Sequence, residues 1–149
     1  MKRIVLVRTN GPRNAGSVMR AAANFGPVEY VLVAPQRPSI LVHPDFTMMA
    51  HGVENVREKI RVVPSMAEAL KDCTHSIAFT GRPRDGRLRS DWRELAPQIH
   101  PLCDDPRERV ALVFGSEADG LDTAELESCK IAAYLPTAAE HQSLNLAAA

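Results

Sequence analysis

Long apolar runs are missing from this chain of 149 residues. No segment approaches the ~20 consecutive apolar residues that a membrane-spanning helix needs, so no membrane association is expected. Cysteine is scarce. Cys73, Cys103 and Cys129 are odd in number, widely spaced and form no Cys-x-x-Cys pair. This argues against a disulfide framework or a zinc site, and for reduced thiols in a cytosol, so a cytoplasmic location is expected. His43, His51, His75, His100 and His141 are scattered without metal-ligand spacing, and no metal is expected. An excess of charge of either sign is also lacking, with Lys+Arg 18 against Asp+Glu 18. A nucleic-acid partner would therefore have to be met by positive charge concentrated locally. Met1-Lys2-Arg3 leads directly into the apolar run Ile4–Val7, so no signal peptide is expected.

What is present is ordinary for a globular protein: 45% hydrophobic and 24% charged residues. The length suits a single domain, 1–149, with a sizeable core. Short apolar runs predict strands at Ile4–Val7, Tyr30–Val33, Ile60–Val63, Ser76–Phe79, Val110–Phe114 and Ile131–Leu135; the first, second and last are of the buried type, and Pro136 stops the last. Between the first two, a helix is predicted from about Ala15 to Phe25. Its apolar stripe is Val18, Ala22 and Phe25, its polar stripe Arg13, Ser17, Arg20 and Asn24, and Gly26-Pro27 ends it. Asp45–Ala50 predicts a short helix. Ser65 with Glu68, and Asp122 with Glu125, read as capping boxes opening two more, to about Lys71 and Cys129. Strands alternating with helices predict an α/β domain with a mainly parallel sheet. Ligands of such sheets lie beyond the carboxyl ends of the strands, so the loops at Thr80, Gly115 and Pro136 can share one pocket.

One stretch is strongly basic. Arg82, Arg84, Arg87, Arg89 and Arg93 lie close together around Asp85 and Asp91 and the only tryptophan, Trp92. As a group these arginines suit phosphate contact, whereas Trp92 is expected in the core at a helix start. Gly115-Ser-Glu-Ala-Asp-Gly120 is a turn but not a phosphate-binding P-loop, because Leu121-Asp122 stands where Lys-Ser/Thr is required. It is not the dinucleotide-binding glycine pattern either. At the end of the chain, a strand, Pro136, a polar loop and Ser143-Leu-Asn-Leu-Ala-Ala-Ala149 follow one another. Ser143 reads as the N-cap of a helix. A strand end, a loop and a helix start offer free backbone groups to a small polar ligand.

Three segments carry a family resemblance. The Ser143-Leu-Asn-Leu ending, Asn14-Ala-Gly-Ser-Val-Met-Arg20 with Phe25-Gly26, and Ala111-Leu-Val-Phe-Gly-Ser-Glu-Ala-Asp-Gly-Leu121 resemble, in order and spacing, the three motifs of the SpoU/TrmH-type RNA methyltransferases, the SPOUT class. The resemblance spans essentially the whole chain, and the TrmJ-like branch looks most similar. It implies a trefoil knot at the C-terminus, S-adenosylmethionine as cofactor, and methylation of a ribose 2′-hydroxyl in RNA, at tRNA anticodon-loop position 32. Alternatives are the tRNA wobble nucleotide, ribosomal RNA, or a non-catalytic RNA-binding homologue.

By position, the resemblance implies a cofactor pocket of Thr80, Gly81, Arg82, Gly115, Leu135, Gln142, Ser143 and Leu144, with Glu117 and Asn145 bracing the loops. It offers Arg20 as the catalytic residue, with Ser143 positioning nucleotide or cofactor and Asn14 orienting Arg20 or the RNA. Arg84, Arg87 and Arg89 are the expected RNA contacts. Arg20 and the pocket would come from different protomers, which implies a homodimer. The third-motif helix of the class runs on for several more turns, so here it would be truncated at Ala149. The Arg82–Arg89 loop also differs from the shorter loop of the TrmJ-like branch.

Overall fold

Among the described residues the six apolar runs and one polar pair form seven strands: β1 (Lys2–Val7), β2 (Val28–Val33), β3 (Ile60–Val63), β4 (His75–Phe79), β5 (Ser90–Asp91), β6 (Val110–Phe114) and β7 (Ile131–Tyr134). The computed structural model describes residues 1–83, 86–141 and 143–149, apart from the side chains of Glu54 and Val56. All strand pairings are parallel, in the order β3-β2-β1-β6-β4-β7-β5. The expected α/β class and parallel sheet are therefore found, with one strand more than the sequence predicts. β5 is a two-residue edge strand paired with β7.

Among the described residues five α-helices flank the sheet: α1 (Pro12–Ala23), α2 (Pro44–Met49), α3 (Met66–Leu70), α4 (Trp92–Asp104) and α5 (Thr123–Glu127). Alternating residues of the central strands enter different cores. Val5, Val7, Val31, Val33, Ala78 and Val113 meet Met66 and Ala69 of α3 and Leu126 of α5 on one face. Ile4, Leu6, Tyr30 and Leu32 meet Ala15, Val18 and Met19 of α1 and Phe46 of α2 on the other. Ile77 and Ala133 continue that second face beneath Leu95 and Ile99 of α4. Strands buried on both sides account for the continuous rather than alternating apolar runs.

Asp122 and Glu125 form the complete capping box of α5. At the start of α3 only half of the predicted box is formed, Ser65 Oγ accepting from Glu68 N–H. Three expectations are corrected. Phe25 lies past the end of α1 and is 72% exposed, so the apolar stripe runs instead through Ala15, Val18 and Met19. Trp92 opens α4 as expected, but it is only half-buried, edge-on to Phe79 with ring centroids 5.0 Å apart. The segment from Ser143 is not helical: it has no regular structure up to a turn at 146–148. Asn145 drives this, with its Oδ1 accepting from Ala147 N–H at 2.9 Å. A side chain that bonds its own backbone two residues on favours a turn.

Candidate functional site

The strands β1, β4, β6 and β7 all deliver their C-terminal ends to the same edge of the sheet. There a cleft of about 800 Å³ opens, bounded by the loops after β4, β6 and β7 and by the start of α1. Its apolar floor includes Phe79 and Phe114. These are register partners on adjacent strands, and their rings stack with centroids 4.8 Å apart. Leu135 and Leu144 add apolar surface from the segment after β7.

The loop after β6 is shaped by close backbone approach. A Cβ on Gly115 would stand 2.2 Å from Gly120 C and 2.3 Å from Leu121 N. Neither backbone atom can step aside, so only glycine lets the turn fold back on itself. The turn is closed by Gly120 N–H donating to Ser116 O at 2.9 Å. In the loop after β4, Thr80 Oγ1 lies 3.2 Å from Arg82 O and 3.4 Å from Arg82 N.

Glu117 ties the loops together. Its Oε1 accepts from Thr9 Oγ1 at 2.8 Å and Gly11 N–H at 3.2 Å, and its Oε2 accepts from Asn10 N–H at 3.1 Å. Burial raises the Glu117 carboxyl pKa, but the bonds from its own backbone, Thr9, Asn10 and Gly11 outweigh that, leaving it below the ordinary carboxylate value. Asn14 Nδ2 also reaches Glu117 Oε1 at 3.5 Å, while Asn14 Oδ1 accepts from Asn145 Nδ2 at 3.1 Å. One chain of polar contacts therefore joins the start of α1, the loop after β6 and the C-terminal segment. Leu146 and Ala147 then settle against the core beneath α1. After β7 the chain thus crosses the strand ends to reach the first helix.

Of the residues singled out from the sequence, Asn14, Thr80, Gly81, Arg82, Gly115, Glu117, Leu135, Ser143, Leu144 and Asn145 line this cleft together. Arg20 does not. It is exposed on the last turn of α1. Arg87 and Arg89 also lie elsewhere: Arg87 Nη2 donates to Cys129 O at 2.7 Å, and Arg89 Nη1 donates to Thr80 O at 3.2 Å while stacking over Tyr134 at 4.8 Å. Gln142 and Arg84 fall outside the described residues. Sequence reasoning passed over Phe79, Phe114, Thr9 and the acidic Asp119 and Glu140, which also face the cleft or its bracing. The signal for the two phenylalanines was their place at strand ends. Thr9, fully buried in a loop, carried none.

The sequence model of the SpoU rRNA Methylase family matches residues 1–149. The chain is 37% identical over 151 aligned positions to the tRNA (cytidine/uridine/adenosine-2′-O-)-methyltransferase TrmJ of Pseudomonas aeruginosa, covering 99% of this chain and 56% of that protein. It therefore spans little more than half the length of the curated relatives it matches. A probable methyltransferase from Bordetella pertussis Tohama I superposes with a TM-score of 0.89 at 34% identity, over 99% of this chain and 88% of that one. A structure described as giving insights into the 2-OH methylation of C/U34 on tRNA superposes with a TM-score of 0.73 at 26% identity, over 99% and 88%.

Proposed function

Because this chain belongs to the SpoU rRNA methylase family, we propose that it methylates a ribose 2′-hydroxyl of tRNA, with S-adenosylmethionine as methyl donor. The observation that carries this reading is the meeting of the three motif segments in one cleft, joined through Asn14, Glu117 and Asn145. The cleft's volume falls in the range of roughly 300–1,000 Å³ usual for small-molecule sites. Its make-up suits this cofactor: apolar walls for adenine, loop amides and carbonyls for its edges, and the carboxylates of Asp119 and Glu140 for a cationic ligand.

When bound, the cofactor supplies an electrophilic methyl group on a sulfonium. Thr80, Gly81, Arg82, Gly115, Leu135 and Leu144 hold and shield it, with Gln142 as a further contact and Glu117 and Asn145 bracing the loops. Ser143 positions the nucleotide or the cofactor's carboxylate. Positioning accounts for most of the catalysis. Arg20 is not a base, since a guanidinium stays protonated in proteins. It grips a backbone phosphate, orients the ribose and stabilises the developing alkoxide, while phosphate or water accepts the proton. Arg20 lies outside the cleft of its own chain, which supports a homodimer in which each site takes Arg20 from the partner.

The arginine-rich loop contacts tRNA phosphates. Arg87 and Arg89 are tethered through one donor each in the contacts above, and a guanidinium has five. Arg84 belongs to the same set. The knotted threading of the last segment is part of the proposal. Anticodon-loop position 32 is the first candidate nucleotide. Position 34 is the second reading, favoured by the similarity to the protein studied for C/U34 methylation.

The test is methyl transfer from labelled S-adenosylmethionine to total tRNA and rRNA, followed by mapping of the modified nucleotide. Label in a tRNA 2′-O-methyl nucleotide is expected, without added metal. Label in rRNA alone would redirect the substrate. Cofactor and tRNA binding without transfer would leave a non-catalytic RNA-binding homologue.

A further inference from the structure

The Gly115–Gly120 turn forms one wall of the cleft, and its internal bonds close it without fixing where it stands over the sheet. Gly120 N–H donates to Ser116 O, and Asp119 N–H to Ser116 Oγ at 3.2 Å. Glu117, in the middle of the turn, is held from outside by Thr9, Asn10 and Gly11; its last residue, Gly120, is held by Arg8, the residue following β1. Arg8 Nη2 donates to Gly120 O at 2.9 Å and to Glu125 Oε2 at 3.0 Å, and Arg8 Nε donates to Glu125 Oε1 at 2.6 Å. Glu125 Oε2 in turn accepts from Asp122 N–H at 2.7 Å, as half of the α5 capping box. A single guanidinium therefore joins the end of β1, the last residue of the turn and the cap of α5. The planar fork of arginine is what permits this, since it can meet a carboxylate with two nitrogens and still present a hydrogen to a carbonyl.

The backbone at this point is also constrained. Arg8 has φ 52°, in the left-handed region that residues with a Cβ seldom occupy. Its N–H donates to Val33 O at 2.8 Å, so the neighbouring strand holds it there. A non-glycine residue kept in that conformation, with its side chain on a cleft-forming turn, is the kind of outlier from which a functional hypothesis is drawn.

We propose that Arg8 is a positioning residue for cofactor binding, setting the height of the Gly115–Gly120 turn through Gly120 O without touching cofactor or RNA. This rests on the cofactor reading above. The competing account is that Arg8 only neutralises Glu125, whose side chain is 11% exposed.

Three variants separate the two: Arg8→Ala, Arg8→Lys, and Arg8→Ala combined with Glu125→Gln. In Arg8→Ala, melting temperature and S-adenosylhomocysteine affinity both fall, because a nearly buried carboxylate loses its partner. In the double variant, glutamine keeps an acceptor for Asp122 N–H and carries no charge, so melting temperature recovers while affinity stays about tenfold or more below wild type. Arg8→Lys, which cannot serve carboxylate and carbonyl together, recovers only part of the affinity. Calorimetry gives the affinities. Hydrogen exchange at the Gly120 amide, expected to speed up in the double variant, reads the turn directly without any ligand. A double variant with wild-type affinity and wild-type exchange at Gly120 would overturn the proposal and leave Arg8 as a charge partner. Wild-type protein that binds no S-adenosylhomocysteine would sink the cofactor reading instead. The exchange measurement would then still decide whether Arg8 holds the turn.

Discussion

At the scale of single residues, polar side chains divide into those that organise the cleft and those left free to act. Glu117 is held in bracing contacts with Thr9, Asn10 and Gly11, and Asn14 bridges Glu117 and Asn145. Cys129 is inert for a different reason: burial pushes its thiol up to about 11, where no thiolate forms near neutrality. Arg20 is the contrasting case, exposed on the last turn of α1. Arg20→Ala should therefore change stability by no more than about 0.5 kcal/mol. It should cut methyl transfer by roughly a hundredfold, the loss expected for one electrostatic stabiliser. Arg20→Lys should restore only a minor part, because an ammonium keeps the charge but not the bidentate grip on phosphate. Thermal unfolding beside single-turnover transfer checks both, and full activity in the lysine variant would rule out the bidentate account.

Between elements, α1 and α2 approach each other closely at a glycine. Gly16 sits on the buried face of α1, and a Cβ there would lie 2.6 Å from Phe46 O and 3.0 Å from Met49 Cβ. In an exposed mid-helix position Gly→Ala stabilises by about 1 kcal/mol through helix propensity. Here overpacking against a backbone carbonyl outweighs that gain, at about 1–3 kcal/mol. Gly16→Ala should accordingly lower the melting temperature by several degrees, where the propensity scale alone predicts a rise. Element α4 makes the complementary point. Pro97 and Pro101 lie inside it, and interior prolines ordinarily end a helix. Asp91 caps it, with Oδ1 accepting from Arg93 N–H at 2.8 Å, and Leu95 and Ile99 bury its inner face. Tertiary burial sustains a helix whose local sequence argues against its full length.

For the whole molecule, the separation of Arg20 from the cleft has a consequence for assembly. If each site combines Arg20 of one protomer with Ser143 of its partner, protomers carrying Arg20→Ala and protomers carrying Ser143→Ala are each inactive alone. Mixed dimers then hold one intact site of two. Co-refolding the two variants should recover up to about a quarter of wild-type activity when pairing is random, half the dimers being mixed with one working site each. Mixed dimers that form by mass spectrometry yet show no recovery would mean that the site is not shared.

What the sequence by itself determined was the alternation of strands and helices, the capping box of α5, and the membership of the three motif segments in one family. These are local properties: period, cap chemistry and spacing survive in a linear string. What only the tertiary structure decided was long-range. The stacked floor of Phe79 and Phe114 depends on two strands pairing in register across 35 residues of chain. The Asn145–Asn14 contact joins residues 131 positions apart, and Arg8–Glu125 spans 117. The turn after Ser143, where a helix start was read, also belongs here. There the bonds made by Asn145, to its own backbone and to the start of α1, compete with a helix.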